Sequence, residues 1–384
     1  MDSVFMKFVI APDSFKESMD AFTAAISIRD GLKEVFQDAT FCLYPMADGG
    51  EGTLKAINHY AKDAQTIQEY VQGPLESPVL AKMIYIPSKS EIFIEMAEAA
   101  GMMLVHSNER NPWKTSTHGV GELVIKALTY NPKRIVIALG GSITNDGGMG
   151  FLNALGVKFL NEERQTIPNG GGYLAQIRYI DAIDSLERLR DIEFLVLSDV
   201  NNPLLGLTGA TQTFSRQKGA HHDMLNQLEI GMTHYANVME NTFGIVKRHE
   251  RGSGAAGGLG FALQFLPNMS MISGIEYLIQ LSEIEKDIEN ADLVFVGEGS
   301  LDEQSLQGKV PIGISTLAMK HHKRVIALVG TIKCQPELLK PYGIHEIYSI
   351  NEEIGLLQTM LKQAPQNIKT TAHKIALQLE KILK

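Results

Sequence analysis

The chain has 384 residues, 44% of them hydrophobic and 21% charged, with a formal net charge of -9. That apolar content excludes a disordered chain. The acidic balance argues against a general nucleic-acid binder, although an anionic substrate can still sit in a locally basic pocket. The two cysteines, Cys42 and Cys334, stand far apart and outside any CxxC, so they build neither a disulfide framework nor a zinc knuckle, and a cytoplasmic setting is expected. No apolar run approaches the roughly 18 residues of a spanning helix, and the N-terminal MDSVFMKFVIAPD has no secretory pattern.

Along the chain, short runs rich in Val, Ile and Leu alternate with helical patterns. Strands are predicted at Lys7–Ala11, Phe41–Tyr44, Ile92–Met96, Arg134–Leu139, Phe194–Ser198, Leu293–Gly297, Arg324–Val329 and Ile347–Ile350. Several are continuous apolar runs, the pattern of strands covered on both faces. A helix is predicted after the first strand, N-capped by Asp20, with Phe22, Ala25, Ile26, Leu32, Val35 and Phe36 at helical spacing. Further helices are expected at Val120–Leu128, at Phe261–Leu266 and at the end of the chain, where Ile368, Ala372, Ile375, Leu379, Ile382 and Leu383 form one stripe. The alternation predicts α/β architecture with mainly parallel sheets, and the length predicts two domains. Gly73-Pro74-Leu75-Glu76-Ser77-Pro78 reads as a linker and polar Glu283–Asn290 as a second crossing. The expected division is a discontinuous, Rossmann-like α/β domain at 1–73 and 290–384, and an inserted α/β domain with glycine-rich loops at 74–289.

Glycine marks the candidate loops. Gly140-Gly141-Ser142-Ile143-Thr144-Asn145-Asp146-Gly147-Gly148-Met149-Gly150 follows a predicted strand, where backbone N–H groups can cradle phosphate or carboxylate oxygens. A tight turn needing positive φ is the bland alternative. A second cluster, Gly252-Ser253-Gly254-Ala255-Ala256-Gly257-Gly258, contains a literal GxGxxG. The dinucleotide fingerprint needs a strand just before it, and Val246–Glu250 is polar and basic, so an NAD site is disfavoured against an anion loop or close helix packing. No Walker motif occurs, and no HExxH.

Carboxylates in glycine-rich turns are the strongest chemical signal. Asp13 follows the first strand, and Asp48 and Glu51 the second. Asp199 follows Phe194–Ser198, and Glu298 and Asp302 follow Leu293–Gly297. One such Asp usually caps a turn. Several at the edge where strands end suit a site that holds a metal and anionic groups, or takes a proton from a hydroxyl. Lys16, Arg216, Lys218 and Lys309 supply positive charge beside Gly or Ser, although a lone basic loop residue is usually solvated.

These stretches, with Ile10–Ser18, Pro45–Thr53, Ser198–Leu204 and Phe214–Ala220, closely resemble the bacterial type-1 glycerate kinases, in the family's order across nearly the whole chain. Ser198 stands where the family often has Cys. The resemblance implies two α/β domains, one inserted into the other, facing a cleft that holds the active site. One domain is likened to a flavodoxin-type fold. It also implies ATP as donor, Mg²⁺ as its partner, D-glycerate as acceptor and 2-phosphoglycerate as the usual product; no nucleic-acid or membrane partner is expected.

Phosphoryl transfer asks a protein mainly for alignment and charge neutralisation. On that basis Asp199, then Asp302, is expected to orient or deprotonate the acceptor hydroxyl. Lys16, Arg216 and Lys218 are expected to clamp phosphate, with Lys309 also among the binding residues. Ser14, Ser18, Gly140, Gly141, Ser142, Thr144, Asn145 and Asp146 are expected to bind substrate or phosphate, as are Gly252, Ser253, Gly254 and Gly257. Asp48, Glu51 and Glu298 are expected to hold the metal. Asp48, Asp199 and Asp302 should then share one cavity, and crowded carboxylates there should have raised pKa values. The competing readings are a kinase for another small hydroxy acid, a non-catalytic hydroxy-acid-binding regulator and, from GxGxxG alone, a dehydrogenase.

Overall fold

A computed structural model describes residues 6–50, 52–182, 185–302, 305, 308–351 and 356–383. Among them the strands are β1 (Lys7–Pro12), β2 (Thr40–Leu43), β3 (Gln65–Gln72), β4 (Pro78–Ile86), β5 (Glu91–Glu95), β6 (Arg134–Ala138), β7 (Lys158–Leu160), β8 (Tyr179–Asp181), β9 (Glu193–Leu197), β10 (Met269–Ile272), β11 (Leu293–Leu301), β12 (Arg324–Ile332) and β13 (Ile344–Ser349). The chain divides into two units: unit 1 is Met1–Asp48, Lys55–Tyr60 and Ser273–Lys384, and unit 2 is Gly49–Leu54 and Ala61–Ile272.

Unit 1 carries a five-stranded sheet in the order β13-β12-β11-β1-β2, every pair parallel. Counted within the unit this is the 2-1-3-4-5 order of doubly wound flavodoxin-like sheets. Apolar runs fill the central strands because helices cover both faces, and Phe8, Ile10, Phe295 and Leu328 are fully buried. Each such side chain contributes about 1.5–3 kcal/mol by leaving water. Asp20 caps helix Ala21–Lys33 by accepting the Thr23 N–H at 2.8 Å. That helix packs on the C-terminal helix Leu357–Leu383 through Gly31, where a Cβ would lie 2.2 Å from the Lys369 carbonyl oxygen.

Unit 2 carries a six-stranded sheet in the order β10-β9-β6-β5-β4-β3; β10 to β5 are parallel, and β4 and β3 extend the edge antiparallel. Its core joins Ile94, Ile135, Ile137 and Val196 to Leu123, Phe151 and Phe261 from the covering helices.

The expected boundaries move, for local reasons. Gly73–Pro78 is not a linker: it closes the β3–β4 hairpin, with the Gly73 N–H donating to Ser77 O at 2.8 Å. Glu283–Asn290 is not a crossing either, because Ile284–Glu289 is a helix with Ile284 and Ile288 buried. The units therefore part near residues 48–61 and at 272/273, not at 73/74 and 289/290. Strands β3, β4, β7, β8 and β10 add to the predicted set, while the helix expected at Phe261–Leu266 runs over Leu259–Leu263.

Candidate active site

In unit 1 the strand order reverses between β1 and β11, and ligands of open α/β sheets settle outside the carboxyl ends at such a point. The two strands deliver a carboxylate each. Pro12 stands opposite Gly297, the Asp13 N–H donates to Gly297 O at 2.8 Å, and Glu298 follows. After Asp13 the chain folds on itself: Phe15 N–H donates to Met19 O and Met19 N–H to Phe15 O, with Glu17 at φ 64°. Ser18 Oγ then donates to Leu361 O at 2.6 Å, tying this turn to the C-terminal helix. Gly330 is required on β12, since a Cβ there would lie 2.4 Å from the Gly299 carbonyl oxygen on β11.

These elements enclose a cavity of about 420 Å³ whose lining includes Asp13, Ser14, Lys16, Ser18, Asp48, Glu298, Asp302 and Lys309. Asp13 and Glu298 are buried. Burial pushes the Asp13 carboxyl well above the usual range, and the charges of Asp48 and Glu298 push the same way, against the Ser14 N–H and Lys16. Burial likewise pushes Glu298 up to about 7, against Ser305 and Lys309. Glu298 Oε1 has no hydrogen-bond partner among the described residues. Asp302 braces its own turn, accepting the Ser305 N–H at 3.1 Å and hydroxyl at 3.3 Å.

A magnesium ion fits this donor set in one form only. Buried, crowded carboxylates with an unsatisfied oxygen suit a cation that shares one or two of them with nucleotide phosphates. A cage of three protein ligands does not form: among the described residues no three His, Cys, Asp or Glu side chains converge that way. The expected set of Asp48, Glu51 and Glu298 is thus reduced to two residues of one cavity, and Glu51 lies outside the described residues.

Unit 2 gathers the other motifs. β6 and β9 are neighbours with Ala138 opposite Leu197, so the Gly140 loop and Asp199 leave the sheet at one edge. Asp199 is therefore not a lining residue of the unit 1 cavity, contrary to the expected trio. Four amides of the glycine clusters are spent within the protein. The N–H groups of Gly147, Gly148, Gly150 and Gly254 donate to Gly257 O, Asp146 Oδ1, Asp146 Oδ2 and Asn202 O. Gly257, at φ 66°, stands where a Cβ would lie 2.0 Å from Thr144 O, and a Cβ on Gly140 would lie 2.7 Å from Gly49 O. Close packing of loop on loop accounts for these glycines. Gly141 and Gly252 adopt positive φ, at 74° and 78°.

The polar residues between them are mostly buried. Asp146 accepts from Thr117 N–H, Thr117 Oγ1 and the two glycine amides, and burial still raises its pKa. Asn145 Nδ2 donates to Thr211 Oγ1, and Ser253 Oγ donates to Lys247 O. Lys218, expected as a phosphate clamp, is 2% exposed. Its ammonium donates to Ser142 Oγ at 2.8 Å and Thr144 O at 2.7 Å, and burial pushes it down to about 7. It struts the Gly140 loop from within, whereas Arg216 is exposed. Lys333, Thr331 and Ser300 also line the unit 1 cavity. The expected strand Arg324–Val329 stops short of Thr331 and Lys333, and Ser300 lies on β11 beyond the expected strand end at Gly297. The signal was there: Gly330-Thr331 repeats the pattern of glycine and hydroxyl after an apolar run.

Residues 8–380 match the glycerate kinase family. The chain belongs to that family. Glycerate kinase of Haemophilus influenzae is 40% identical over 371 residues, covering 97% of this chain and 98% of its own. Glycerate 2-kinase of Escherichia coli is 39% identical, covering 97% of each. A crystal structure from Salmonella typhimurium LT2, provisionally named glycerate kinase 2, superposes with a TM-score of 0.84 at 37% identity, over 98% of this chain and 99% of that one. This glycerate kinase family member is therefore an enzyme, a phosphotransferase with an alcohol group as acceptor. Among its described residues no helix is long and apolar enough to cross a membrane.

Proposed function

We propose that the enzyme transfers the γ-phosphoryl group of ATP to D-glycerate, giving 2-phosphoglycerate and ADP, in the cytoplasm. The observation that carries this reading is the full-length similarity to proteins named glycerate kinase. The relative named glycerate 2-kinase favours the C2 hydroxyl as acceptor. In the transfer the C2 oxygen forms a bond to the γ-phosphorus as the bond to the β-γ bridging oxygen breaks, and the hydroxyl proton moves to a carboxylate. Asp199, at the end of β9, is the first choice for that carboxylate and Asp302 the second. Lys16 and Arg216 supply positive charge to the spreading phosphoryl oxygens. Mg²⁺, bound with the nucleotide and held by Glu298 and Asp48 directly or through water, would neutralise charge on the β- and γ-oxygens. The buried Lys218 keeps the Gly140 loop in one conformation and does not itself touch the phosphates.

The test is a coupled assay of ADP release over a panel of small hydroxy acids, followed by phosphorus NMR of the product. D-Glycerate should give the highest kcat/KM. A phosphorus signal split into a doublet by one methine proton marks 2-phosphoglycerate; a triplet marks the 3-phosphate and refutes the C2 assignment.

A further inference from the structure

The unit 1 cavity contains more than the acceptor chemistry uses. At about 420 Å³ it far exceeds what a three-carbon acid fills and lies in the range of pockets for larger small-molecule ligands. Its lining combines two chemistries. Lys16, Lys309 and Lys333 form no ion pair among the described residues. Lys309 is also the N-cap of helix Val310–Lys320, whose N-terminal end adds partial positive charge. Ile350, Met360, Leu361 and Ala364 form an apolar wall supplied by the residue after β13 and by the C-terminal helix. Between these sits the buried Glu298, its Oε1 unpartnered.

We infer that this cavity is the nucleotide site of the kinase: the triphosphate lies against Lys16, Lys309 and Lys333, and the apolar side chains of Met360 and Leu361 cover the base. The inference rests on the kinase reading above, and it moves phosphate recognition from the glycine clusters of unit 2 to the lysines of unit 1. Two observations favour a nucleotide over glycerate here. A small acid needs no apolar wall, and three lysines outnumber one carboxylate group. The crowded carboxyl groups of Asp13, Asp48 and Glu298 suit a cation beside the phosphates, so the bound species is the magnesium chelate. Lys333 is the new functional residue. Its position is fixed by its own N–H, which donates to Leu301 O at 2.8 Å, and its side chain is exposed, so it is free to serve a ligand rather than the fold.

Isothermal titration calorimetry on the full chain tests this with three probes in magnesium buffer: the imido analogue of ATP, inorganic tripolyphosphate and D-glycerate. Lys333→Met should weaken the analogue and tripolyphosphate by about tenfold to a hundredfold, the worth of a hydrogen bond to a charged group, and leave glycerate unchanged. Met360→Ala should weaken the analogue by about threefold to tenfold and leave tripolyphosphate unchanged. Equal thermal midpoints confirm that both variants are folded. Binding of both triphosphates to Lys333→Met within about twofold of wild type overturns the site, as does a loss that falls on glycerate instead. An equal loss of analogue and tripolyphosphate in Met360→Ala overturns the base placement. A wild-type enzyme that binds the analogue but transfers nothing to D-glycerate refutes the acceptor reading and leaves the nucleotide site standing.

Discussion

The carboxyl group of Glu298 offers the most direct check on the electrostatics of the unit 1 cavity. It is 5% exposed and its pKa is pushed from 4.5 up to about 7, chiefly by burial. The native state therefore holds a proton that the unfolded chain has already released. Native stability from this group is complete below pH 4.5 and falls as pH rises to about 7, because each pH unit in that window costs about 1.4 kcal/mol per retained proton. Over the whole window the loss is about 3 kcal/mol. Glu298→Gln has no proton to lose. Its unfolding free energy should match wild type near pH 4.5 and exceed it by about 3 kcal/mol at pH 8. Asp13, raised in the same direction, leaves a residual slope of the same sign in the variant.

The readout must follow unit 1. The single tryptophan, Trp113, belongs to unit 2, so its fluorescence reports the other unit. Native-state hydrogen exchange of the β1 and β11 amides, corrected for the intrinsic pH dependence of exchange, measures the relevant opening. If the two proteins differ by less than about 0.5 kcal/mol at every pH from 5 to 8, the carboxyl is solvated and the burial argument is wrong. The same variant should bind the magnesium chelate of the ATP analogue more weakly than wild type at pH 8, because it has lost a charge that favours the cation.

Lys218→Met should keep the packing and lose the donors to Ser142 Oγ and Thr144 O, lowering stability by about 1–3 kcal/mol in urea titrations followed by Trp113. Because burial lowers the Lys218 pKa from 10.5 to about 7, wild-type stability should rise relative to the variant between those pH values; a parallel profile refutes the buried-ammonium assignment. Gly257→Ala places a Cβ 2.0 Å from Thr144 O at a positive φ, so a loss of about 2–4 kcal/mol is expected, read as a lowered urea midpoint. Asp199→Asn should lower kcat by about 10²–10⁴ with an unchanged thermal midpoint. A folded variant that keeps more than about a tenth of wild-type turnover transfers the role to Asp302, for which Asp302→Asn is the paired measurement.

The parallel cores were legible because strands buried on both faces leave no choice but continuous Val, Ile and Leu, as in Phe8–Ile10, Ile135–Ile137 and Leu293–Val296. The β3–β4 hairpin was not. β3 reads QTIQEYVQ, and only Val71 in it is buried, because an edge strand is held by backbone bonds that no side-chain pattern records. The Gly73–Pro78 turn then looked like a linker, since hairpin turns and linkers draw on the same residues. That ambiguity misplaced the first boundary; the second was misplaced because Glu283–Asn290 reads as polar, although Ile284–Glu289 is a helix with Ile284 and Ile288 buried. The carboxylates at strand ends were legible as a class, and Asp13, Asp48, Glu298 and Asp302 do line one cavity. Their division from Asp199 depends on which sheet each strand joins, and that is decided by pairing across more than two hundred intervening residues, as between β1 and β11.

The glycines separate the two kinds of information most clearly. A run such as Gly147-Gly148-Met149-Gly150 serves an anion or a close packing with the same composition, because both need a backbone free of side chains. What distinguishes them is where the N–H groups end, and here they end on Asp146 and on the carbonyl of Gly257. Asp146, itself drawn into the interior, spends its charge on those amides and so takes the place an external anion would occupy. Gly299 and Gly330 line the cavity of unit 1 and still follow the packing rule. A Cβ on Gly330 would lie 2.4 Å from Gly299 O and one on Gly299 would lie 3.3 Å from Phe15 Cα, so each lets one strand or turn approach the next. A glycine beside a cavity therefore says less about a ligand than an unpartnered charge does, because the space its missing side chain leaves is filled by the protein's own backbone.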